Sequence, residues 1–250
     1  MSPISTLGAR QRAACAIVSA AQMAQVDACT IDGYGVGLIQ MMENAGRNLA
    51  RLARDRFLAS DARGSCVHVL AGPGGNGGGV LAAARRLHGA GARVQVWLAQ
   101  ADALSPAAAQ QWLSLQRLGV PLMHGEHPGE GADLMLDGLL GYRLCGPPRS
   151  AFAALIRQAN AATSPIVALD MPSGLDPDNG SVSALTINAA ATLTLAAPKF
   201  GLLAASARAL LGELYLADIG VPPAVYAELG LASAAAMIDV FATDDVMRWG

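Results

Sequence analysis

Leu38, Met41, Met42, Ala45, Leu49, Leu52 and Ala53 recur three and four positions apart, so residues 38–58 read as a helix with one apolar face. A shorter helix precedes it over 19–29, and Gly33, Gly35 and Gly37 separate the two. The rhythm then changes. Short β-rich runs at 66–71, 93–98, 121–124, 134–137, 166–170, 191–196 and 213–216 alternate, in the first half, with helical runs at 80–88, 106–118 and 151–160. Ser105 before Pro106 is a helix start, with a capping side chain and a proline at the first helical position.

Nearly continuous apolar strands joined by helices predict a parallel sheet covered on both faces, a doubly wound α/β fold. In such a sheet ligands bind beyond the carboxyl ends of the strands, where strand order reverses. The unusual residues of this chain lie at those ends. Gly72-Pro73-Gly74-Gly75-Asn76-Gly77-Gly78-Gly79 follows the first strand, Asp137-Gly138-Leu139-Leu140-Gly141 the fourth, Asp170-Met171-Pro172-Ser173-Gly174 the fifth and Pro198-Lys199-Phe200-Gly201 the sixth.

Composition narrows the partner. The 17 Lys+Arg nearly balance the 19 Asp+Glu, with no basic block and few aromatics, which points away from nucleic acid and toward a small molecule. Four cysteines, at 15, 29, 66 and 145, show no Cys-x-x-Cys spacing, so neither a disulfide framework nor a zinc site is expected and a reducing, cytoplasmic setting fits. Arg10 and Arg12 ahead of an alanine-rich run faintly resemble a targeting peptide, but Ser19 and Gln22 read as a capping box opening a helix. No apolar stretch approaches the roughly 20 residues needed to cross a bilayer.

Each motif has a plain reading beside the chemical one. Gly72, Gly74 and Gly77 satisfy G-x-G-x-x-G after a strand, yet the second strand ends Leu98-Ala99-Gln100 without the acid a dinucleotide site expects, and Pro73 removes a backbone donor. There is no Gly-Lys-Ser/Thr. Asp137 and Asp170 could each be turn caps, but two acids beside a glycine run suggest more. Ser173 lacks the Gly-x-Ser-x-Gly setting of a nucleophile and reads as a polar ligand or turn residue. Lys199 is either a surface lysine or a charge at the site. His124 and His127 fall in a Gly/Pro-containing loop and are assigned no metal.

In order along the chain, Met41-Met42-Glu43-Asn44-Ala45-Gly46, the run from Gly72, Asp137-Gly138-Leu139-Leu140-Gly141, Asp170-Met171-Pro172-Ser173-Gly174, Pro198-Lys199 and Ala217-Asp218-Ile219-Gly220-Val221-Pro222 resemble the NAD(P)H-hydrate epimerases, also called the YjeF N-terminal domain. The resemblance runs from about Ile17 to Pro222. It implies a three-layer Rossmann-like sandwich with a mostly parallel sheet and two N-terminal helices, commonly a homodimer, that interconverts the R and S forms of hydrated NADH or NADPH. It implies substrate contacts from Gly75, Asn76, Gly77, Gly78 and Gly79, from Gly141, Tyr142, Arg143, Leu144, Cys145, Gly146 and Pro147, and from Asp170. It implies a potassium ion at Asn76, Asp137 and Ser173, with Asp170 as acid and base and Lys199 assisting.

It also divides the chain into a flexible start over 1–16, an epimerase domain over 17–236 and a tail over 237–250 resembling the segment that leads to a dehydratase domain in many relatives. The glycine run departs from the family pattern at Gly75, Gly79 and Val80. Gly79 stands where the family carries an aspartate, so Gly79→Asp is expected to raise activity or ligand affinity. Two other functions share these features, an ordinary NAD(P)-dependent oxidoreductase and a non-catalytic nucleotide-binding module with a decayed loop.

Overall fold

The protein, in a computed structural model, is described over residues 4–123, 131–143, 146, 148 and 150–250. Helices α1 (Ala9–Ala14), α2 (Ala20–Ala28) and α3 (Leu38–Phe57) come first, with a π-helical turn at Cys29–Gly33 between the last two. Ser19 and Gln22 cap α2 reciprocally, Gln22 N–H donating to Ser19 Oγ at 3.1 Å and Ser19 N–H to Gln22 Oε1 at 2.8 Å. Then β1 (Cys66–Ala71), α4 (Gly75–Gly89), β2 (Arg93–Leu98), α5 (Pro106–Arg117), β3 (Leu122–Met123), β4 (Leu134–Gly138), α6 (Ser150–Ala161) and β5 (Ile166–Leu169) alternate. The chain closes with β6 (Ala191–Leu195), α7 (Arg208–Leu211), β7 (Glu213–Ala217), α8 (Pro223–Glu228), α9 (Ala234–Val240) and β8 (Val246–Arg248).

The eight strands form one sheet in the order β3-β2-β1-β4-β5-β6-β7-β8. All neighbours are parallel except β7 and β8. Strand order therefore reverses between β1 and β4, whose ends pair as Leu70 with Asp137 and Ala71 with Gly138. Side-chain alternation splits the core into two layers. Val67, Val69, Leu134 and Leu136 pack with α3, α4 and α5 residues such as Leu49, Leu81 and Trp112, whereas Leu70, Met135 and Trp97 pack with Leu155 and Ile156 of α6. This is the three-layer sandwich.

Two segments are more ordered than the sequence suggests. Residues 4–16 are built into the fold: Thr6 bridges Arg248, Leu7 is buried, and the Arg12 guanidinium donates to the carbonyls of Leu7 and Trp249. The expected tail, 237–250, completes α9 and adds β8 antiparallel to β7. Leu7, Met237, Val240 and Met247 share one apolar cluster, so burial fixes both ends of the chain against each other. Among the described residues no helix is long and apolar enough to cross a membrane.

Candidate active site

Asp137 lies one residue from the end of β4 and is completely buried. Its Oδ1 accepts from Ser173 Oγ at 2.7 Å and from Leu139 N–H at 3.1 Å, and its Oδ2 from Ser173 N–H at 2.8 Å. Burial pushes its pKa up to about 6, against the pull of those hydrogen bonds. Ser173 Oγ also accepts from Leu140 N–H at 2.8 Å, so the ends of β4 and β5 are laced together around one carboxyl group.

The glycine run is mostly helix. α4 starts at Gly75, five residues before the expected 80–88, because its glycines allow contacts that no side chain would. A Cβ on Gly77 would lie 1.8 Å from Gly72 O, and one on Gly72 would lie 1.9 Å from Leu139 O. This close packing places Asn76 beside the β4 loop, where its Nδ2 donates to Leu140 O at 3.0 Å. Asn76 Oδ1 is buried and has no partner. An orphaned amide oxygen near a buried carboxylate and a hydroxyl is a donor set for a hard cation. Among the described residues there is no cluster of three or more His, Cys, Asp or Glu that would favour a softer metal.

Asp170 follows β5 with φ of 68°, a left-handed conformation unusual outside glycine. Its Oδ1 accepts from Lys199 Nζ at 2.5 Å, and its Oδ2 from Tyr142 N–H at 3.1 Å. Lys199 is entirely buried and also donates to Leu195 O at 3.0 Å. Its backbone is held by a bridge to Val18, just ahead of α2. A Cβ on Gly141 would sit 3.2 Å from Asp170 Oδ2 and 3.4 Å from Asn76 Cγ, so these two side chains flank one glycine.

The other predicted contacts divide. Gly75, Gly77 and Gly78 form the first turn of α4, with Met42 lying over Gly78. Tyr142, Arg143 and Gly146 belong to the loop after β4, whereas Leu144, Cys145 and Pro147, like His124 and His127, fall outside the described residues. Gly79 does not face this group. A Cβ there would meet Leu169 Cδ2 at 2.8 Å and Ala45 Cβ at 3.7 Å, so an aspartate would enter apolar packing, contrary to the expected gain from Gly79→Asp.

Asp27 of α2 is the neighbour that the motif reading passed over. Its Oδ2 accepts from the Tyr142 hydroxyl at 2.5 Å. Burial raises its pKa above the ordinary carboxylate value, opposed by the Tyr142 hydrogen bond and the charges of Lys199 and Arg143. The helix motif around Glu43 is structural: Glu43 accepts from Arg85, Arg86 and Gln111, Asn44 donates to Ile219 O, and a Cβ on Gly46 would lie 2.6 Å from Ala82 Cβ.

Relatives place this arrangement in context. A protein named NAD(P)H-hydrate epimerase from Dehalogenimonas lykanthroporepellens is 45% identical over 210 residues, covering 84% of each chain. Another of that name, from Limosilactobacillus fermentum, is 34% identical over 80% of this chain and 95% of its own. A protein named bifunctional NAD(P)H-hydrate repair enzyme Nnr, from Salinibacter ruber, is 37% identical, and the match spans 41% of its length. The crystal structure of the yeast protein ynu0, YNL200c, superposes with a TM-score of 0.79 at 25% identity, covering 93% of this chain and 99% of the yeast chain. Residues 38–201 match the family described as YjeF-related protein N-terminus, and with the same fold and relatives above one third identity, the chain belongs to that family.

Proposed function

We propose that this chain interconverts the R and S forms of hydrated NADH and NADPH, the epimerisation for which its relatives are named. The observation that carries this reading is the buried Asp170–Lys199 pair at the carboxyl edge of the sheet. The hydrate bears its hydroxyl on a ring carbon next to nitrogen, whose lone pair can expel the hydroxyl once a proton reaches it. Asp170 is the group that delivers that proton, taking it from the Lys199 ammonium hydrogen-bonded to its Oδ1. The C–O bond breaks, water leaves, and the ring becomes a cation conjugated with the nitrogen. When water adds to the opposite face, its surplus proton returns through Asp170 to Lys199. Atoms and charge are as at the start, and only the face has changed.

Lys199 holds and resupplies the proton through its hydrogen bond to Asp170 Oδ1. Of the 17 Lys+Arg in the chain it is the single lysine, and an ammonium can release a proton where a guanidinium does not. The first turn of α4, Gly75 to Gly77, offers its N–H groups and the positive end of a helix dipole to the substrate's phosphates, and the ladder begins with Gly78 N–H on Gly74 O. Asn76 Oδ1, Asp137 and Ser173 would hold a potassium ion, which when bound supplies positive charge beside the anionic substrate.

The same reading makes the protein a cytoplasmic homodimer, which sedimentation can test. The activity test is chiral separation of hydrated NADH after incubation with the protein, with and without potassium. Equilibration of the two forms is expected; hydride transfer without equilibration would instead identify an oxidoreductase.

A further inference from the structure

Asp27 lies outside every strand-end loop, near the end of α2, yet its carboxylate reaches the site across 115 residues of sequence through the Tyr142 hydroxyl. Arg143 Nε donates to the same phenol oxygen at 3.0 Å, and Arg143 Nη2 lies 3.6 Å from Asp27 Oδ2. The other end of Tyr142 faces the reacting pair. Its N–H donates to Asp170 Oδ2, and its ring centroid is 5.8 Å from Lys199 Nζ. One residue therefore connects α2 with both members of the pair.

Leu139 and Leu140, at the start of the loop, are held by Asp137 and Ser173, and the bond to Asp27 holds it farther along, at Tyr142. Gly141 has no side chain, and the side chain of Arg143 is 74% exposed, against 16% for Asp27. We propose that Asp27 is a positioning residue: by anchoring the Tyr142 hydroxyl it keeps the Tyr142 N–H on Asp170 Oδ2 and so fixes the orientation of the Asp170 carboxyl group. The inference rests on the epimerase reading of the pair. Displacing a catalytic group by about an ångström is enough to cost about a hundredfold in rate, so an anchor of this kind acts on turnover.

The test compares Asp27→Ala, Asp27→Asn, Tyr142→Phe and the Asp27→Ala/Tyr142→Phe pair in the full chain, measuring kcat and KM for hydrated NADH. Asp27→Ala and Tyr142→Phe should each lower kcat by about tenfold or more, with the double variant within about twofold of the worse single. Asp27→Asn keeps an acceptor oxygen and should return kcat to within about threefold of the parent. Multiplicative losses, or an Asp27→Ala kcat within about twofold of the parent, would overturn the proposal.

Hydrogen exchange at the Tyr142 amide reads the anchor without turnover, and should accelerate about tenfold or more in Asp27→Ala and in Tyr142→Phe. Unchanged exchange sinks the anchor even if the parent protein is active. An inactive parent refutes the functional reading instead, and exchange still decides the anchor. Should the alanine variant not fold, the near-isosteric Asn and Phe variants carry both measurements.

Discussion

Lys199 Nζ sits 2.5 Å from Asp170 Oδ1, with their side chains 1% and 5% exposed. Each charge is therefore tolerated because of the other, and removing one partner strands the second. Asp170→Asn should lower epimerase turnover by about a hundredfold or more. It should also cost about 3 kcal/mol of stability in urea unfolding. Adding Lys199→Met should restore much of the stability and none of the activity. A stable Asp170→Asn protein that still equilibrates the two hydrates would remove Asp170 from the mechanism.

Potassium should stabilise the fold through Asn76, Asp137 and Ser173. A ligand present at about a hundred times its Kd adds about 2.7 kcal/mol to a fold that alone binds it. The expected result is a higher Tm in potassium chloride than in choline chloride at equal ionic strength, with the increment lost in Asn76→Ala and Asp137→Asn. Equal Tm values for the parent protein in the two salts would count against a cation at this position.

Gly79→Asp should weaken the protein without raising turnover. The place a side chain would take is filled by Leu169 Cδ2, and Ala45 lies beyond it. Overpacking combined with a buried carboxyl group should cost about 2 kcal/mol or more. Leu169→Ala in the same chain makes room and should recover part of that loss. A faster enzyme of unchanged stability would restore the reading taken from the family pattern.

Glu43 gives the stability a defined pH dependence. Burial alone would raise its pKa, but hydrogen bonds from Arg85, Gln111 and Arg86 outweigh it and hold it below the ordinary glutamate value. A depressed carboxyl pKa contributes stability above the unfolded value of 4.5, lost as pH falls through the folded one. The parent should therefore exceed Glu43→Gln by about 1 kcal/mol at pH 7. The gap should narrow in urea titrations as pH falls below 4.5, and a gap independent of pH would show that Glu43 acts through packing.

Much of this site was legible because its chemistry lies where periodicity ends. Asp137 and Asp170 end, and Lys199 follows, short apolar runs that read as strands, and a parallel sheet sends all those ends to one edge. Asn76 is suggested only by the family resemblance, and its orphaned oxygen depends on where α4 begins. That start was misplaced because helix propensity argues against glycine, whereas close contact with the β4 loop requires it. Asp27 has no signal in the sequence, since no local pattern pairs it with a tyrosine so far away. The motif around Glu43 was recognised, yet only packing reveals that it clamps three helices. β8 has three residues, too short for alternation to register, and exists because β7 offered an edge.

Lys199 has a practical consequence as well. Because it is the sole lysine of the chain and is wholly enclosed, a reagent that acylates amines can modify a side chain only when the interior around it opens. The labelling rate at this one position, read by mass, is a direct clock for breathing of the site. Its slowing by a bound nucleotide would measure how tightly the protein closes over its ligand.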